Sequence, residues 1–117
     1  EVGESGTTSF FAKDPVNWSA NPGLSDRFAQ LYALRVAHPE LRYGSLKPYA
    51  HPNVLAFERE LDGDRVLVFI NTRTTAVTFN VPTALRETTW NDLISPRSVT
   101  LGASLALNAH EVRVLAK

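Results

Sequence analysis

The run Val66-Leu67-Val68-Phe69-Ile70 constrains this chain more than any other feature of its sequence. It is too short for a buried helix and carries no polar alternation, so it defines a central strand covered on both faces. Just ahead of it, Asp62-Gly63 is a two-residue hairpin signal, because a tight hairpin turn needs positive φ where these residue types tolerate it. Residues 54–60 alternate, which places Leu55 and Phe57 on a core face and Glu58 and Glu60 on a solvated one. Val77, Phe79 and Val81 alternate with Thr78 and Asn80 until Pro82 ends that strand. Further short strands are expected around Tyr49 and over residues 90–93, 99–101, 105–107 and 112–115. About seven to eight short strands with frequent turns predict a mainly β fold, an antiparallel Greek-key β-sandwich in preference to a partly open barrel.

The first third of the chain reads differently. Residues 1–24 hold Gly3, Gly6, Pro15, Asn17, Asn21, Pro22 and Gly23, a density of turn formers that predicts an irregular segment. Phe10, Phe11 and Trp18 lie within it, and rings of that size seek an apolar surface to cover. Ser25 can cap a helix, and Leu24, Phe28, Leu31, Leu34 and Arg35 then recur at helical spacing, predicting one amphipathic helix over residues 25–38 that Pro39 stops. A helix that short is marginal in water unless its stripe is packed. The β-sandwich is then expected over residues 39–117.

At 117 residues the chain can form one domain with a sizeable core, but not an eight-fold (β/α) barrel, which needs about 250. Twelve Lys plus Arg balance twelve Asp plus Glu without any basic block, which argues against nucleic-acid and anionic-membrane partners. The absence of cysteine removes disulfides, thiolate metal sites and a cysteine nucleophile. No apolar run approaches the length of a membrane-spanning helix. The chain opens on Glu1 without Met or a targeting segment, and so reads as a piece excised from a longer protein.

Candidate chemistry is sparse. Glu58 and Glu60 lie two apart on one strand, about 6 to 7 Å from each other, a spacing that invites a glycosidase pair; the polar-out alternation makes a solvated face the better reading. Asp62 and Asp64 lack the staggered oxygen ligands of a calcium loop. His38, His51 and His110 lie in separate turns with no zinc-ligand spacing between them, so neither a metal nor a cofactor is expected. Gly3-Glu4-Ser5-Gly6 is one residue short of a nucleophile elbow. Asn17-Trp18-Ser19 fits the glycosylation rule, which matters only in a secreted eukaryotic protein. Sugars stack on exposed rings, and the candidates for such contacts are Trp90, Tyr43 and Tyr49.

Read together, Glu1-Val2-Gly3, Phe10-Phe11, Asp14-Pro15-Val16-Asn17-Trp18 and the phrase running from Leu31 through Arg35, His38-Pro39-Glu40-Leu41-Arg42 to Gly44 resemble the last part of α-amylase family enzymes (glycoside hydrolase family 13). The strands over residues 54–60, 65–71 and 105–115 look like the C-terminal β domain of that family. The resemblance implies a loop after the last barrel strand (residues 1–24), the final barrel helix (25–38) and the β domain (39–117). It further implies that the catalytic carboxylates lie upstream of Glu1, that none belongs to this chain, and that the (β/α)8 barrel of the same parent chain is the main partner. Phe28, Leu31, Leu34 and Arg35 would face that barrel. His110 departs from the bulky aromatic or aliphatic group usual at its position.

The functional expectation is therefore a non-catalytic domain that stabilises and shields a barrel acting on α-glucans. The alternative is a carbohydrate-binding module that holds α-glucan at a secondary site. For the isolated chain, residues 1–24 are expected to be loosely ordered or engaged with a neighbouring chain. The Phe28, Leu31 and Leu34 face is expected to pack on the β domain or to drive self-association.

Overall fold

The computed structural model describes Thr7, Phe11, Lys13 and residues 15–117. Much of the expectation for residues 1–24 lies outside the described residues. The chain divides into two compact units, Glu1–Ala37 and His38–Lys117.

The described part of the first unit is dominated by helix α1, Pro22–Ala37. It starts earlier than the Ser25 cap predicts. The Leu24 N–H donates to Asn21 Oδ1 at 3.1 Å, so Asn21 caps the helix, and Pro22 occupies the first helical position, where its missing N–H costs nothing. The end at Ala37 follows from Pro39, whose ring keeps His38 out of the helical region. No residue of α1 is buried.

The second unit opens with a single helical turn, α2 (Glu40–Tyr43). Gly44 follows because two carbonyls crowd the chain there: an added Cβ would lie 2.6 Å from the Glu40 oxygen and 2.7 Å from the Glu60 oxygen. Eight strands come next: β1 (Ser45–Tyr49), β2 (Val54–Leu61), β3 (Asp64–Asn71), β4 (Val77–Asn80), β5 (Thr89–Asp92), β6 (Arg97–Thr100), β7 (Ser104–Leu107) and β8 (Val112–Ala116). The β2–β3 connection is the expected two-residue turn, with Asp62 at φ 54° and Gly63 at φ 97°.

The strands form a six-stranded sheet in the order β1-β2-β3-β8-β5-β6 and a two-stranded sheet, β4-β7. Every pairing is antiparallel. The non-sequential neighbours β3, β8 and β5 carry the crossovers of a Greek-key sandwich. The core between the sheets gathers Val54, Ala56, Leu67, Phe69, Phe79, Val81, Leu85, Trp90, Leu101, Leu107 and Leu115. Phe69 of the large sheet and Phe79 of the small one meet at 5.2 Å between ring centroids. A second cluster lies on the other face of the large sheet, where Val66, Val68 and Val114 are covered by residues that include Leu41 of α2, Leu93 and Ile94. The central run is thus buried on both faces, as its composition requires.

Two positions of β2 depart from the sequence expectation, Glu58 turning inward and Leu55 outward, while Glu60 is exposed as expected and Phe57 packs against the second cluster. Val54, Ala56 and Glu58 point into the inter-sheet core, opposite Asn71, Phe69 and Leu67. Leu55 and Phe57 pair with Ile70 and Val68 on the outer face, and Leu55 is 53% exposed. The strand parity follows β3, which is apolar on both sides, so the charge on β2 does not mark its solvent face.

Candidate functional site

Glu58 is 4% exposed, so the expectation of a solvated face is corrected. A carboxylate at a core position must be fully hydrogen-bonded, and this one is held from two sides. The Tyr49 hydroxyl donates to Oε2 at 2.5 Å, and the Arg65 guanidinium reaches Oε1 at 2.6 Å. Burial, and after it the hydrogen bond to Glu58, raises the Tyr49 phenol well above its ordinary value. Both oxygens of Glu58 are committed, and Glu60 is exposed two residues on. The pair is therefore not arranged as two carboxylates flanking a sugar ring.

The sugar-stacking candidates separate by burial. Trp90 is 1% exposed, its Nε1 donates to Thr88 Oγ1 at 2.7 Å, and Arg65 and Lys117 stand 5.4 and 5.9 Å from its ring centroid. The ring is a core residue and presents no face for a sugar. Tyr49 is half-buried with its hydroxyl engaged. Tyr43 is exposed, with the Arg42 guanidinium 5.0 Å from its ring centroid.

The histidines serve local structure. His38 Nδ1 lies 2.7 Å from Oε1 of the buried Glu40, at the turn that opens the β unit. His51 Nδ1 accepts from the Asn53 N–H at 3.2 Å, and its ring is 5.6 Å from that of Phe79. His110 sits at φ 54° in the turn before β8. Among the described residues no group of three His, Cys, Asp or Glu could hold a metal ion.

Other polar residues, the buried Asn71 and Asp92 and the partly buried Arg59, were missed by the sequence reading and tie the loops together. Asn71 donates to the carbonyls of Thr75 at 2.8 Å and Asn108 at 2.7 Å, while its Oδ1 accepts from the Arg73 N–H at 2.9 Å. Asp92 accepts from the N–H groups of Ile94 and Ser95 at 3.0 and 3.1 Å. Arg59 clasps α2 from β2, donating to the carbonyls of Glu40 and Arg42 at 3.3 and 3.2 Å. Their signal in the sequence is parity: Asn71 shares the core register of Leu67 and Phe69, and a polar residue in that register needs internal partners.

Two surfaces are unusually apolar. In the first unit, Phe28 is 46%, Leu31 38%, Tyr32 72% and Val36 57% exposed. Trp18, Ser25, Phe28, Ala29 and Tyr32 line an open cleft of about 630 Å³ there. Of the expected barrel-facing residues, Leu34 is partly buried and Arg35 exposed. In the β unit, the outer face of the large sheet shows Leu46, 59% exposed, and Leu55, 53% exposed.

The β unit is an antiparallel sandwich of a six-stranded and a two-stranded sheet. The family described as "Maltogenic Amylase, C-terminal domain" matches residues 45–114, and the chain belongs to it. That match agrees with the resemblance to the C-terminal part of α-amylase family enzymes.

Solved structures of similar fold include an Anoxybacillus α-amylase, at TM-score 0.75 and 18% identity over 86% of this chain and 24% of that one. AmyP in complex with maltose follows at TM-score 0.73 and 20% identity, over 86% of this chain and 21% of that one. The trehalulose synthase MutB from Pseudomonas mesoacidophila MX-45 matches at TM-score 0.66 and 23% identity, over 79% of this chain and 17% of that one. This chain thus spans less than a quarter of each. A comparison with the curated proteins gives no match.

Proposed function

We propose that this chain is the non-catalytic C-terminal domain of an α-amylase-type glycoside hydrolase acting on α-glucans, and that it stabilises and shields the (β/α)8 barrel of its parent chain. The observation that supports this most is α1. A sixteen-residue helix carrying Phe28, Leu31, Tyr32 and Val36 has no buried residue, and a stripe of that kind is stable only when another surface covers it. In this reading Phe28, Leu31, Leu34 and Arg35 lie against the barrel, residues 1–24 are the loop after its last strand, and residues 39–117 are the β domain. The reacting carboxylates belong to the barrel.

The test compares the enzyme encoded by the longer reading frame with a version ending at residue 37. Truncation lowers the thermal midpoint, and the 117-residue chain alone hydrolyses neither starch nor maltooligosaccharides. Turnover by this chain, or a truncated enzyme as stable as the intact one, overturns the proposal.

Of the three candidate rings Tyr43 is the exposed one, and that exposure favours a sugar-holding role. Chemical-shift changes at Tyr43 on titration with maltooligosaccharides would support that second reading, and their absence leaves the structural role alone.

A further inference from the structure

The β2–β3 turn is set apart by its main-chain chemistry. A side-chain carboxyl that meets the nitrogen of the following residue can close a cyclic imide. Two things oppose that closure: a side chain on the following residue, and a hydrogen bond that holds its N–H. Asp14 precedes Pro15, whose nitrogen has no proton to lose. Asp26 lies within α1, where the backbone is held helical. After Asp64 the Arg65 N–H donates to the Lys117 carbonyl at 3.1 Å, and after Asp92 the Leu93 N–H donates to the Val114 carbonyl at 2.8 Å. Asp92 is also buried, and its Oδ1 is taken by the N–H groups of Ile94 and Ser95.

Asp62 differs from all of these. It is exposed, at φ 54°, and is followed by Gly63 at φ 97°. The β2–β3 ladder closes at Leu61 and Asp64, so the Gly63 N–H lies outside its register. Even a Cβ added at Gly63 would meet nothing within 4 Å, and a glycine in open space reorients its peptide at the least steric cost. No asparagine of the chain precedes a glycine, which leaves Asp62-Gly63 alone in this chemistry.

We propose that Asp62 is a site of spontaneous isomerisation to isoaspartate in the folded protein, and that the product is a substrate for enzymes that methylate isoaspartyl carboxyls. The Gly63 nitrogen attacks Cγ of the Asp62 carboxyl in its acid form. The N–Cγ bond forms, the Cγ–OH bond breaks, and the amide proton leaves with that hydroxyl as water. Solvent water then opens the imide at either carbonyl. Attack at Cγ restores aspartate; attack at the original main-chain carbonyl leaves the chain running through Cβ and Cγ and frees an α-carboxyl. Nothing is oxidised or reduced, and the mass is unchanged. The isomer adds one atom to the backbone of a turn whose length sets the register of β2 against β3. The hairpin that carries the central strand is therefore loosened.

The experiment ages the 117-residue chain at neutral pH and a temperature below its unfolding midpoint. Samples are probed over time with an isoaspartyl methyltransferase and radiolabelled S-adenosylmethionine. Trypsin releases residues 60–65 as one peptide, in which electron-transfer fragmentation tells Asp62 from Asp64. Label accumulates, the modified residue is Asp62, and Asp62→Ser loses the signal. Asp62→Asn, which keeps the residue types of a tight hairpin turn, passes through the same imide with ammonia leaving in place of water, and converts faster. The aged fraction, separated by chromatography, has a lower thermal midpoint than fresh protein. Isoaspartate at Asp64 or Asp92 in place of Asp62 overturns the inference. So does isoaspartate at Asp62 that forms in urea but not in the folded chain, because the turn then guards the bond.

Discussion

Tyr49 and Glu58, on neighbouring strands, share a hydrogen bond of 2.5 Å at the rim of the inter-sheet core, with Arg65 on the other carboxylate oxygen at 2.6 Å. The arrangement has unequal partners. Glu58 is nearly inaccessible, whereas the Arg65 side chain keeps 31% exposure. Removing the carboxylate strands a half-solvated cation and a phenol; removing the phenol leaves the ion pair intact.

Glu58→Ala should therefore cost about 3 kcal/mol, the low end for breaking a buried pair, because Arg65 can turn to water. Tyr49→Phe should cost about 1 kcal/mol, the worth of one hydrogen bond. The double variant should lose less than the sum, since both changes dismantle one network. Urea denaturation with an unchanged slope measures all three, and equal losses from the two single variants would contradict the asymmetry.

The two tryptophans stand in opposite environments, Trp18 at 67% exposure and Trp90 at 1%. In Trp18→Phe, the remaining emission should be blue-shifted, resistant to acrylamide, and unmoved by added maltooligosaccharides. Quenching or a shift with sugar would return Trp90 to the set of binding residues.

The strands were legible because apolar alternation and turn residues are local signals. Asp62-Gly63 and Pro82 punctuate the chain where the structure turns. Which face of β2 turns inward was not legible, because that depends on the register against β3, whose Val66, Val68 and Ile70 face one cluster while Leu67 and Phe69 face the other. Leu55 and Glu58 exchanged their expected places for that reason alone. Trp90 could be proposed for sugar contact only while its burial was unknown. The helix start was displaced because Asn21-Pro22 supplies a stronger cap than Ser25, and the two signals compete within one turn.

Gly44 should tolerate no side chain. Its Cβ would stand within 2.9 Å of backbone atoms of both Glu40 and Glu60, and neither can retreat without pulling α2 from β2. Gly44→Ala is expected to destabilise the β unit by about 1 to 3 kcal/mol, the usual cost of overpacking. Amide exchange should locate the loosening at α2 and the start of β1. A variant as stable as the parent sequence would show that α2 shifts freely.

Stability should fall at both ends of the pH scale, for separate reasons. Burial pushes the Glu111 carboxyl up, but the Asn108 N–H at 2.7 Å and the Arg113 guanidinium at 2.5 Å outweigh it, and the net value lies below the ordinary one. A depressed folded value stabilises above the unfolded value of about 4.3 and is lost as pH falls through the folded one. Glu111→Gln should flatten the acid limb of the thermal-midpoint profile. Tyr49 is the mirror case: its raised folded value stabilises below the unfolded phenol value of about 10 and is lost as pH rises through the folded one. Tyr49→Phe should flatten the alkaline limb and leave the acid limb as it was. Either variant acting on the opposite limb would refute the assignment.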